Sequence, residues 1–312
     1  LGPWNTTTGP SPARSNCTLD TGYRFTFYQV SYGAIFLVGL ATNGLALHRL
    51  CRSPRALNST AVYMASLAVA DACFVASLPL RIYFYHRRGR AFSALTFAVK
   101  YVSLYGGVFF LACIALDRYL AVVHPARSAL RRLRFARRLS AAVWCVVLGL
   151  SAGLPLLRYA GLVSPRRHHP CLLDPTSRRQ RPLILMALGL VLGAFLLPAA
   201  LLLFSYCRVL SVLGRRRRRR RRRRALTVIY WVLAVFLLCF APYHANLLVY
   251  TLSHVGLLPA CSLARASMAL HPVVLSLASA NCCLNPLVYY FSSGPVGGGD
   301  WRCTQCCRMC LA

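Results

Sequence analysis

Charge is where this chain would have to find its chemistry, and nearly all of that charge is arginine. The sequence holds 37 basic residues against five acidic ones, a net charge of +32, with Lys100 the sole lysine and no glutamate. Acid–base or nucleophilic catalysis needs titrating groups paired within reach of one another. Five scattered aspartates, two of them (Asp71 and Asp117) inside apolar runs, supply no such constellation, so no enzymatic activity is expected. Fixed cations suit a different task. A phosphate monoester needs several donors held in place, and the forked guanidinium matches it best. Arg24, Arg81, Lys100 and Arg265 are the candidate cations, with Tyr101, His244 and His271 as neighbouring donors. The competing reading for Arg81 and Lys100 is that they snorkel from a membrane interior to its surface.

The elements that must position these residues are seven long apolar segments, approximately Val30–Leu47, Ala61–Phe84, Ala91–Val122, Leu139–Leu156, Leu183–Leu213, Ala225–Leu252 and Ser267–Phe291. About 20 apolar residues cross a bilayer as a helix. Only helices or closed barrels satisfy every backbone group in lipid, and these runs are too long for barrel strands. Hydrophobic content of 57% and a mean hydropathy of +0.53 agree. The expected fold is an all-α membrane protein, a bundle of seven transmembrane helices, with residues 1–29 as an extracellular tail, 30–291 as the bundle and 292–312 as a short cytoplasmic tail. No signal-peptide pattern is visible, so the first span is expected to act as the anchor.

Basic residues sort the loops. His48, Arg49, Arg52 and Arg55 follow the first span, Arg127 to Arg138 the third, and the ten arginines Arg215–Arg224 the fifth. The positive-inside rule places these in the cytoplasm and the N-terminus outside. The sequons at Asn5 and Asn16 agree, since glycosylation needs a lumenal tail. Arg215–Arg224 would then either lie against the inner leaflet, where anionic lipids attract each arginine by about 1 kcal/mol, or be low-complexity drift in an arginine-biased coding region. It lacks interleaved aromatics and a binding fold, so nucleic acid is not the expected partner.

Polar residues and prolines inside apolar spans cost free energy and mark function. They occur here one set per span: Asn43, Asp71, Asp117-Arg118-Tyr119, Trp144, Pro198 with Tyr206, Phe236 to Phe240 with Pro242, and Asn281 with Asn285-Pro286 and Tyr289. A transporter or channel would show an internal repeat or a polar path, and neither is apparent. The full ordered set resembles the rhodopsin-like G-protein-coupled receptors over roughly residues 17–292.

That resemblance implies a mechanism. Arg118, paired with Asp117, would release on activation and meet a heterotrimeric G protein and then arrestin, with Tyr206 and Tyr289 moving inward. Phe236, Phe240 and Pro242 would form the hinge of the sixth span, and Asn285, Pro286 and Tyr289 the switch of the seventh. Asp71, Asn281 and Asn285 would be the cluster that holds an allosteric sodium ion. Gly107 stands where the family usually has a serine ligand. No other cofactor is implied. Within the family, Leu78-Pro79-Leu80-Arg81, Cys239-Phe240-Ala241-Pro242-Tyr243 and Asn281-Cys282-Cys283 resemble the nucleotide-receptor-like branch, closest to the non-EDG lysophosphatidic acid receptors. An extracellular lysophospholipid, lysophosphatidic acid first, is the implied ligand, with nucleotides, protons or other lipids as alternatives. The branch also implies a disulfide between Cys17 and Cys261. Cys171 finds no cysteine at the entry to the third span. Cys303, Cys306, Cys307 and Cys310, beyond the last span, are expected palmitoylation sites rather than a metal knuckle.

Overall fold

A computed structural model of the chain describes residues 23–52, 58–84, 90–124, 132–159, 181–214, 219–258 and 261–292. Asn5, Asn16, Cys17, Cys171, Arg215–Arg218 and the cysteines from Cys303 to Cys310 lie outside the described residues, as do the side chains of Arg219–Arg224, Cys261 and Tyr289.

The helices are α1 (Tyr23–Arg52), α2 (Ser59–Phe84), α3 (Arg90–Val123), α4 (Leu133–Tyr159), α5 (Arg181–Gly214), α6 (Arg219–Val235), α7 (Ala241–His254), α8 (Cys261–Ser279) and α9 (Asn281–Ser292). A π-helical turn, Phe236–Phe240, joins α6 to α7 into one rod. α8 and α9 form another, interrupted at Ala280. Seven of the resulting rods are long and apolar enough to cross a membrane, from Thr26–His48 to Ser262–Leu287. The expected all-α bundle is the observed one.

Helices run past the apolar windows at several ends. α1 begins at Tyr23 rather than near Val30, and α4 begins at Leu133 within the arginine-rich stretch. Hydropathy marks the part of a helix that meets hydrocarbon, whereas arginine continues a helix readily beyond it. α2 starts where Asn58 caps it: the Asn58 side-chain oxygen accepts from the Ala61 N–H at 2.9 Å.

α3 is the central post. In its hydropathic window 72% of residues are buried, against 28% for the first, fourth and fifth spans. It packs on α2, α4 and α5, while α1 closes the ring against α2, α8 and α9. The outward faces remain apolar, as at Leu37, Leu40, Leu190, Leu197, Phe204 and Leu238. Gly39 permits the tight approach of α1 to α2, since a Cβ there would lie 2.7 Å from Val75. Near Pro242 the helix widens: the Ala241 N–H donates to Phe236 O, one residue further back than an α-helix allows. Such π-turns are frequent at functional bends.

Candidate functional site

Polar side chains inside the bundle fall into three layers. The first lies near the start of α3. Pro79 sits within α2, and Arg81 follows in its last turn. Its guanidinium stands 5.1 Å from the centre of the Tyr32 ring. Arg81 Nη1 and the Tyr32 hydroxyl are both buried without a hydrogen-bond partner. Lys100 is only 5% exposed. Its Nζ rests over the rings of Tyr101 at 5.0 Å and Tyr243 at 6.0 Å, whose hydroxyls meet at 3.1 Å. A cation held over ring faces keeps part of its charge unneutralised and available to an anion.

Around these cations is an aromatic wall. Tyr105 stacks on Tyr101, and His244 stacks on Phe195 with centroids 4.0 Å apart. The Phe240 carbonyl accepts a hydrogen bond from His244 Nδ1 at 2.8 Å. A carbonyl only accepts, so that nitrogen carries the proton and Nε2 is left as a buried acceptor with no partner. His271 lies against Tyr250 and 3.4 Å from the Asn246 amide. The structure thus brings Arg81, Lys100 and Tyr101 together, with His244 and His271 on the adjoining wall. Arg24 donates to the Met268 carbonyl at 2.8 Å and, with Tyr23 on Ala269 O, docks α1 on α8. Arg265 is exposed.

The second layer centres on Asp71, fully buried. Its carboxylate accepts from Ser103 Oγ at 2.9 Å and from Asn285 Nδ2 at 2.8 Å. Asn285 also reaches Asn281 Oδ1 at 3.4 Å, and Asn43 bridges Gly39 O and Cys282 O. Ser103 was not among the residues expected here; it supplies a hydroxyl one turn before Gly107. At Gly107 itself a Cβ would come within 3.0 Å of the Phe240 ring.

The third layer ends α3 at Asp117-Arg118-Tyr119. The hydroxyls of Ser59 and Thr60, in the first turn of α2, both donate to the buried Asp117 carboxylate. Arg118 is half-buried beside them. Tyr206 from α5 is buried within electrostatic reach of Arg118, and its hydroxyl has no hydrogen-bond partner. Phe236 and Phe240 are buried with their rings 5.7 Å apart, and the Phe240 ring faces Gly107. Replacing Ser59 by alanine and Thr60 by valine removes two donors from a buried carboxylate. The double variant should lose about 1–3 kcal/mol of stability, read as a lower melting temperature. An unchanged melting temperature would show that the hydroxyls do not hold Asp117.

Seven spans with two cations over aromatic rings in one layer, a buried carboxylate cluster at mid-depth and an Asp-Arg-Tyr triplet at the far end of α3 define a seven-helix membrane receptor. The chain belongs to the 7 transmembrane receptor (rhodopsin family), whose profile matches residues 42–289. Among its relatives, a putative purinoceptor of Mus musculus is 32% identical over 90% of this chain and 88% of its own length. "Lysophosphatidic acid receptor 6" of Gallus gallus is 32% identical over 89% of this chain and 94% of its own length. The Homo sapiens protein of that name is 30% identical, over 90% and 85% respectively. The members of this family are receptors rather than enzymes, and they couple an external ligand to G proteins.

Proposed function

We propose that this chain is a plasma-membrane receptor, N-terminus outside, that binds an extracellular lysophospholipid with a phosphate monoester head, lysophosphatidic acid first, and activates heterotrimeric G proteins. The observation that supports it most is the pair Arg81 and Lys100 over the rings of Tyr32, Tyr101 and Tyr243. The two described acids, Asp71 and Asp117, are hydrogen-bonded in the other two layers. An anion with several acceptor oxygens is the group that such a pocket favours. The aromatic wall of Tyr105, Phe195 and Tyr243 suits the start of an acyl chain, and two of the relatives carry lysophosphatidic acid in their names. Arrestin would follow the G protein at the Arg118 end. Arg215–Arg224 would meet anionic lipids of the inner leaflet, since sequence charge assigns that end to the cytoplasm.

A nucleotide is the second reading, because another relative is named a purinoceptor and nucleotides share the phosphate chemistry. Competition binding on membranes separates the two. Lysophosphatidic acid should displace a bound probe at concentrations well below those of lysophosphatidylserine or any nucleotide. Tighter binding of a nucleotide would move the receptor to the second reading.

A further inference from the structure

We propose that the Trp231 indole is a latch between α6 and α9, and that its hydrogen bond to the Leu284 carbonyl holds the Arg118 end of the bundle closed until a ligand acts. The proposal rests on the reading that this receptor activates G proteins, and it is independent of which ligand the first layer takes.

Position is the first reason. The sixth and seventh spans each contain a break in regular helix. The π-turn Phe236–Phe240 divides α6 from α7, and Ala280 divides α8 from α9. At Ala280 the ladder is disturbed: its N–H is shared between Ser276 O and Leu277 O, and the Cys283 N–H reaches back only to Ala280 O. On one side of these breaks α7 packs on α8, and on the other α6 packs on α9. Trp231 lies shortly before the π-turn, and Leu284 one helical turn past Ala280. Across the α6–α9 contact the partly buried indole Nε1–H donates to Leu284 O at 3.2 Å. A carbonyl has two lone pairs, so Leu284 O can accept this bond beside one from its own helix. α6 can leave α9 only by breaking it.

Charge is the second reason. α6 opens on Arg219–Arg224 and holds no acidic residue, so no carboxylate of α6 can pair with Arg118. Like charges at that end favour separation, and α6 packs only slightly on α5. A neutral donor on α6 supplies a restraint that an ion pair to Arg118 cannot. The acceptor is also well placed to be released. Leu284 O belongs to the peptide that joins Asn285, and Asn285 donates to the Asp71 carboxylate at 2.8 Å. A shift of Asn285 within the Asp71 cluster therefore moves the acceptor of the latch.

The test is Trp231→Phe, which keeps a ring and deletes the N–H, in purified receptor in lipid nanodiscs with G proteins and no ligand. Loss of one neutral hydrogen bond should shift the population toward the open form and raise ligand-free nucleotide exchange about fivefold. Amide hydrogen exchange read by mass spectrometry should quicken in α6 and α9 and keep the parent rates in α7 and α8. Benzothienylalanine at position 231, which has the shape of tryptophan with sulfur in place of the N–H, should act as phenylalanine does. It separates the lost bond from lost volume, and it takes the place of Trp231→Phe if that variant does not fold. Parent rates of amide exchange in α6 and α9 would overturn the proposal. So would loosened helices with unchanged ligand-free nucleotide exchange in a receptor that a ligand still activates. If parent and variant activate no G protein under any condition, the coupling reading fails, and the role of the latch with it.

Discussion

Arg118→Ala is expected to abolish agonist-stimulated nucleotide exchange while the receptor still reaches the cell surface. The two outcomes separate because of how the end of α3 is built. Asp117 is held by Ser59 and Thr60, so the packing of α3 on α2 does not hang on Arg118. Arg118 is half-buried, with the unpartnered hydroxyl of Tyr206 in its electrostatic range. That arrangement stores a cation beside a helix whose neighbour, the rod of α6 and α7, carries a widened turn at Phe236–Phe240 just before Pro242. Movement at that turn would open the Arg118 end without breaking regular helix. Alanine would delete the group proposed to meet the G protein and leave the scaffold. Exchange measured on membranes with surface labelling in parallel checks both halves, and normal exchange in the variant would refute the role given to Arg118.

Arg81→Ala is expected to shift the lysophosphatidic acid response to more than about tenfold higher concentration without lowering its maximum. A charge-assisted hydrogen bond contributes about 1.5–3 kcal/mol, and each 1.4 kcal/mol is about tenfold in affinity. The maximum should survive because Arg81 and Arg118 sit in different layers, so the loss is one of binding. Arg81→Lys should fall between, since it keeps the charge and loses the fork. A concentration–response curve that does not move in Arg81→Ala would remove the phosphate from this pocket.

The span pattern was legible because hydrocarbon imposes it on every residue of a crossing helix. Which face of each helix points inward was much less so. Leu197 and Phe195 stand two residues apart on α5, one bare to the surroundings and one buried against His244, and nothing in their types tells them apart. Tyr32 escaped notice for the same reason: a tyrosine in an apolar run has no sign of its face until α1 is packed on α2. Ser103 carries no sequence signal of its own: a serine in an apolar run is ordinary, and only packing aims its hydroxyl at Asp71. Charged residues were easier. Lys100 and Arg81 could be singled out because burial of a cation demands a reason, and the structure sets both in one layer. Arg24 was placed by its position ahead of the first span, and its guanidinium donates to the Met268 carbonyl, a backbone partner that no sequence motif announces.

The most direct test of the central claim is nucleotide exchange in a defined system: the purified receptor in lipid nanodiscs with purified heterotrimeric G proteins of each class. Lysophosphatidic acid should accelerate exchange on at least one of them, and Arg118→Ala should return that rate to the level seen without receptor. No acceleration by lysophosphatidic acid on any G protein, with a receptor shown to be folded, would contradict the account.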